Sequence, residues 1–168
     1  VSDRREGLLG EAIKQSKQIR KMTLSFVDGL TEDRLRWRAA PQANPILWIL
    51  WHVAEVHDSV LWTLDGTAPV FALGRSALTA RGADAFLPAP ADVRRYLDDS
   101  QARLLARLAA MPDTDLPRSF GEGVWKGTGA GLVGLPARHE TYHAGQIGFI
   151  RRLMGLPVDD RNLGNPYS

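Results

Sequence analysis

The sequence predicts an all-α protein, a four-helix bundle with long inter-helix connections. Three observations carry this. Four segments repeat apolar residues at steps of three and four, the period of an amphipathic helix. No segment shows the strict alternation of a half-buried strand, and 168 residues is the length of one domain. The 44% apolar and 24% charged residues match an ordinary globular chain whose core needs no staples. A single bundle domain over residues 1–168 follows.

The first segment, Leu8 to Phe26, places Leu8, Ala12, Gln15, Ile19, Met22 and Phe26 on one stripe, with Lys14, Lys17, Gln18 and Lys21 opposite. The second, Pro45 to Leu64, is apolar nearly all round, so it is expected to be the most buried element. Asn44 is its expected N-cap and Pro45 its first helical residue. The third, Pro90 to Met111, carries Val93, Leu97, Ser100, Leu104, Leu108 and Met111 on one face. The fourth, Pro136 to Met154, ends at Gly155, a residue suited to a left-handed C-cap. Its expected core stripe is Leu135, His139, Tyr142, Gln146, Ile150 and Leu153. Three connections remain: Leu30 to Asn44, Asp65 to Pro88, and the glycine-rich Pro112 to Leu135. Such lengths occur where a chain crosses a bundle end or walls a site.

Charge and composition exclude several classes. The net charge is +2, and basic residues are dispersed, the tightest doublets being Arg4-Arg5, Arg94-Arg95 and Arg151-Arg152. A nucleic-acid surface would cluster them, so nucleic acid is not an expected partner. Cysteine is absent, which removes disulfides, thiolate metal sites and a thiol nucleophile carried by the chain. No apolar run reaches the ~18–20 residues of a membrane span, and the opening VSDRREG has no signal-peptide core, so no membrane role and a cytoplasmic location are expected.

The four histidines all fall in expected helices: His52 and His57 in the second, His139 and His143 in the fourth. His139 and His143 are one turn apart, about 40° in azimuth and 6 Å along the axis, which lets both imidazoles reach one ion. If the second and fourth helices are neighbours, His52 can join them inside the bundle. His57, about 140° round from His52, is expected to be structural or on the surface. The string His139-Glu140-Thr141-Tyr142-His143 also matches HExxH, in which the glutamate serves as general base to a zinc peptidase. The further acidic or histidine ligand such peptidases use does not follow, and no sheet precedes. Peptidase or hydrolase chemistry through HExxH therefore ranks last, with Glu140 expected outside the metal's ligands or in a helix–helix contact.

Two blocks carry a resemblance. One is Asn44-Pro-Ile-Leu-Trp-Ile-Leu-Trp-His52 followed by Val-Ala-Glu55, after a connection containing Leu35-Arg-Trp37-Arg. The other is His139-Glu-Thr-Tyr-His143-Ala-Gly145-Gln146-Ile147 with Arg151-Arg152-Leu153. Together they resemble the DinB/YfiT-like superfamily of small helical metalloproteins, and helix number, order and chain length agree over nearly the whole chain. The resemblance implies an up-down-down-up bundle with one long crossover, a metal triad of His52, His139 and His143, and a homodimer. Related members include transferases that use low-molecular-weight thiols such as bacillithiol or mycothiol, and a thiol-dependent isomerase. The chain departs from the pattern between Pro112 and Leu135, so substrate identity does not carry over.

Three neutral imidazoles on a divalent ion, zinc or nickel, leave at least one coordination position open to water or a small-molecule substrate. Such an ion can hold an anionic nucleophile near neutral pH. The expected function is a metal-dependent enzyme, in its sharpest form a low-molecular-weight-thiol S-transferase; lacking cysteine, the chain would need an exogenous thiol. Hydrolysis fits the same triad. The alternative is a non-catalytic metal- or ligand-binding stress-response protein. Glu55, three residues after His52, is placed to orient a ring nitrogen, or else is a solvated helix glutamate. Gln146 is a candidate hydrogen-bond partner, Tyr142 a candidate phenol beside the site, and Trp125 a candidate substrate wall. Trp37, Trp48, Trp51 and Trp62 read as core or dimer-interface residues. Arg138, Arg151 and Arg152 read as anion receivers or as a solvated face.

Overall fold

The structure, a computed structural model, describes residues 7–67, 87–123 and 126–157. Its helices are α1 (Leu8–Val27), a short α2 (Glu32–Arg36), α3 (Ile46–Asp65), α4 (Pro90–Ala109) and α5 (Gly129–Leu153). Between α4 and α5 stand a 3-10 turn, Asp113–Asp115, and two two-residue antiparallel strands, β1 (Ser119–Phe120) and β2 (Gly127–Thr128). Glycine ends two helices by accepting a positive φ: Gly66 at +76° after α3 and Gly155 at +71° after α5.

Paired residues fix the directions of the four long helices. Arg20 meets Glu140, and Phe26 meets both Gly148 and Arg151, so α1 and α5 run parallel. His57 meets Ser100 and Asp65 meets Arg107, so α3 and α4 also run parallel. Arg20 reaches Leu97 while Ser16 reaches Gln101, which makes α1 and α4 antiparallel. The order is up, down, down, up. Parallel neighbours need a long return between them, and residues 66–89 make it, with 68–86 outside the described residues.

Burial divides the interior into three layers. One apolar layer gathers Ile19 and Phe26 with Ile46 through Trp51, Val53, Ala54, Val93, Leu97, Ala144, Ile147 and Ile150. The other gathers Ala12, Val60, Leu61, Leu64, Leu104, Leu108, Leu132 and Val133. Between them the chain places buried Ser16, Arg20, His57, Ser100 and Glu140. The second sequence segment is the most buried, as its composition implies, and Trp48 and Trp51 lie in the core; Trp37 and Trp62 are exposed.

Several boundaries differ from the sequence expectation. The N-cap of α3 is Pro45, with no side-chain cap, so Asn44 lies one residue outside. α4 ends at Ala109, although Met111 stays buried as expected. The largest correction concerns α5, which starts at Gly129 rather than Pro136 and so takes in the end of the glycine-rich connection. Pro136 sits inside the helix, where its missing N–H leaves one rung of the ladder unmade. The early start is stabilised from outside the helix. Thr128 Oγ1 accepts from Gly131 N at 3.2 Å, while the N–H groups of Gly129 and Ala130 donate to the carbonyls of Arg118 and Leu116, each at 2.9 Å.

The core face of α5 is also rotated from the expected stripe. Val133, Ala137, Glu140, His143, Ala144, Ile147 and Gly148 are buried, whereas Tyr142 and Leu153 are exposed. Small residues make this face because α5 approaches α1 closely. A Cβ on Gly148 would stand 3.6 Å from the Phe26 ring.

Gly129 is the tightest point of this arrangement, since a Cβ there would fall 2.2 Å from the Asp115 carbonyl oxygen. Gly129→Ala is expected to destabilise the fold by about 1–3 kcal/mol through overpacking, read as a lower urea midpoint with an unchanged m-value.

Candidate metal centre

Antiparallel packing of α3 on α5 brings three histidines to one point. His52 Nε2 and His139 Nε2 are 3.1 Å apart, and His143 Nε2 is 3.1 Å from His139 Nε2. The rings stand nearly edge to face, with centroids 4.4–4.9 Å apart. Three nitrogens ~2.05 Å from a common ion, with neighbours at this spacing, subtend about 98° at it, between octahedral and tetrahedral values. Among the described residues no fourth His, Cys, Asp or Glu joins the cluster.

The protons decide whether a cation fits. His143 Nδ1 lies 2.7 Å from Gln146 Oε1; a carbonyl oxygen only accepts, so the ring carries its proton there and turns a lone pair inward. One proton on His139 Nε2 cannot then satisfy both 3.1 Å contacts. His139 Nδ1, for its part, is buried with no hydrogen-bond partner. A divalent ion facing the three Nε2 atoms resolves the first conflict, and the donor set, three imidazoles, suits zinc or nickel. Burial favours the neutral form of the two α5 ligands. Burial pushes the His139 imidazole down to about 3, helped by the facing His143 and His52 rings. Burial also lowers His143, against the opposing pull of Gln146 and Glu140.

Around the triad, Trp48 in the first turn of α3 stacks on His52 one turn further on, with centroids 4.9 Å apart. Gln146 is the residue that orders His143. Tyr142 is 65% exposed with its ring edge against His143, so it borders the centre from the solvent side. Glu55 is half-buried; burial pushes its carboxyl up to about 8, while Trp51 donates a hydrogen bond to it and Asp58 adds a like charge. Trp125 lies outside the described residues. Arg151 donates to the Phe26 carbonyl at 2.6 Å and to the Pro157 carbonyl, tying the end of α5 to α1.

Glu140 is wholly committed to a helix–helix contact. Arg20 Nε donates to its Oε1 at 2.8 Å and Arg20 Nη2 to its Oε2 at 3.2 Å, and neither side chain is reached by solvent to any extent. His57, fully buried, stands 3.8 Å from the same carboxylate. Sequence reading missed Arg20 because it reads as one more cation on a lysine-rich helix. Its only signal is position, one residue after Ile19 on the buried flank.

Residues 15–147, most of the chain, match the family model of the DinB superfamily. Among solved structures the chain is similar to YfiT from Bacillus subtilis, described as "a probable metal-dependent hydrolase with an unusual four-helix bundle topology". The two share 18% identity at a TM-score of 0.70, over 94% of this chain and 91% of that one. No curated protein matches the sequence.

Buried neutral histidines make stability depend on pH. His57 is held well below its ordinary 6.5 by burial first and then by the Arg20 charge. The unfolded chain therefore binds the extra proton, and stability present above pH ~6.5 is lost as pH falls below it. For the metal-free protein, urea unfolding at pH 7.5 and 5.5 should show this loss, up to about 1.4 kcal/mol per pH unit for each suppressed imidazole. His57→Gln should flatten part of the slope.

Proposed function

The chain belongs to the DinB superfamily, and we propose that it is a metal-dependent enzyme acting on a small molecule through an ion held by His52, His139 and His143. The observation that supports this reading is the convergence of three Nε2 atoms with no fourth donor among the described residues. A divalent cation held there would supply Lewis acidity, the chemistry that activates a water or thiol or polarises a carbonyl.

The chain's own residues prepare that chemistry. Gln146 holds the His143 proton on Nδ1 and leaves Nε2 free to ligate. Trp48 covers one face of His52 and fixes its plane. Tyr142 offers a solvent-facing phenol at the rim. Glu55, its carboxyl pushed up to about 8 by burial, stands on the His52 flank of α3. Glu140 has no part as a base, since Arg20 occupies both of its oxygens.

The nucleophile is the finer question. The absence of cysteine requires any thiol to come from solution, and the resemblance to thiol-using transferases favours a low-molecular-weight thiol. The description of YfiT favours water.

Protein purified without an affinity tag should carry on the order of one zinc or nickel ion per chain by elemental analysis, and His143→Ala should lose it. Turnover of a model electrophile that needs an added thiol would establish the transferase; ester or amide cleavage without thiol would establish the hydrolase. A stoichiometric ion with neither activity would leave the non-catalytic binding protein.

A further inference from the structure

Resting on the metal-centre reading, we infer that Arg20, which touches no histidine of the triad, is a positioning residue that sets the rotation of α5 and thereby the aim of His139 and His143. On a helix turning 100° per residue, both histidines lie on one flank of Glu140, about 100° and 60° round from it. Whatever fixes Glu140 fixes them. Both carboxylate oxygens of Glu140 are held by Arg20, through a planar fork that specifies direction as well as charge.

The fork is itself immobilised. Arg20 Nη1 donates to the Leu97 carbonyl at 2.7 Å and to Gln101 Oε1 at 3.4 Å, and Gln101 in turn donates to the Ser16 carbonyl at 2.9 Å. Ser100 Oγ, 3.4 Å from His57 Nδ1, brings α3 into the same group. Every long helix thus contributes a polar group to the point where α5 is clamped, one residue from His139 and three from His143.

Geometry makes the clamp matter. A side chain reaching 5–6 Å from the helix axis moves about 1 Å for each 10° of helix rotation. Metal–nitrogen distances tolerate only about ±0.2 Å. The small residues on this face of α5, Ala137, Ala144 and Gly148, offer little interlocking to resist such rotation. A merely structural ion pair would hold the bundle together without influencing where the imidazoles point.

The test uses cobalt(II) as probe, with affinity from chelator competition and geometry from the visible absorption band, on wild type, Arg20→Gln, Arg20→Lys and the paired Arg20→Met/Glu140→Met. Arg20→Gln should bind cobalt about 10- to 100-fold more weakly with an altered band. Arg20→Lys, keeping the charge without the fork, should fall between. The Met pair should recover thermal stability, since no charge is left buried alone, yet not the cobalt affinity. Wild-type affinity and band in any folded Arg20 variant, or their full return in the Met pair, would overturn the inference. If Arg20→Gln does not fold, the other two variants decide. A second readout needs no metal: nuclear Overhauser contacts in NMR spectra between the His52 ring on α3 and the His139 and His143 rings on α5 should weaken in Arg20→Gln and in the Met pair, and unchanged contacts would refute positioning. Should wild type take up no cobalt, the metal reading fails, and these spectra alone decide the role of Arg20.

Discussion

A single guanidinium holds the centre of this bundle. Arg20 is 4% exposed and spends its donors on Glu140 of α5 and on Leu97 and Gln101 of α4. Burying two charges is expensive, and their attraction offsets the desolvation only when the geometry is good and the remaining donors find acceptors. Here they do. The pair then adds little net stability over an apolar substitute, but removing one partner costs about 3–5 kcal/mol because the other is stranded. Its contribution is specificity of arrangement, since apolar layers on either side could slide or rotate where a bidentate fork cannot.

The helix that receives this clamp has to satisfy two demands. Its buried face carries Ala137, Glu140, Ala144 and Gly148, which let α1 approach closely. Its adjoining flank presents His139 and His143 to α3. Long apolar residues on the buried face would separate the helices and lengthen the reach to Arg20. The exposed positions of Tyr142 and Phe149 follow from the same division, since the face that remains points to solvent.

Much of the architecture was legible because α3 and α4 advertise their buried faces with large apolar residues; α1 does so less, burying Ala12, Ser16, Ile19, Arg20, Thr23 and Phe26 while the expected Leu8 and Gln15 are exposed. The α4 stripe from Val93 to Met111 is buried throughout, and α3 is buried on nearly every side. The convergence of His52 with the His139 and His143 pair was readable from spacing once α3 and α5 were set side by side. The start and face of α5 were not. Its first turn is glycine-rich and is stabilised by carbonyls of Leu116 and Arg118 rather than by its own propensity. Its core face is built from small residues and a carboxylate, which hydrophobic periodicity does not count. Arg20 was illegible for a related reason: a cation earns a buried position only through a partner 120 positions away.

The histidines that face each other across α3 and α5 are separated by 87 positions along the chain. In synthesis His52 emerges well before its two companions, which come with α5. An ion bridging them would close a loop of that length, and it could bind tightly only to chains in which α5 has packed on α3. Occupancy of that bridge would therefore report the docking of α5 against α3, and its binding energy would be returned as resistance to unfolding.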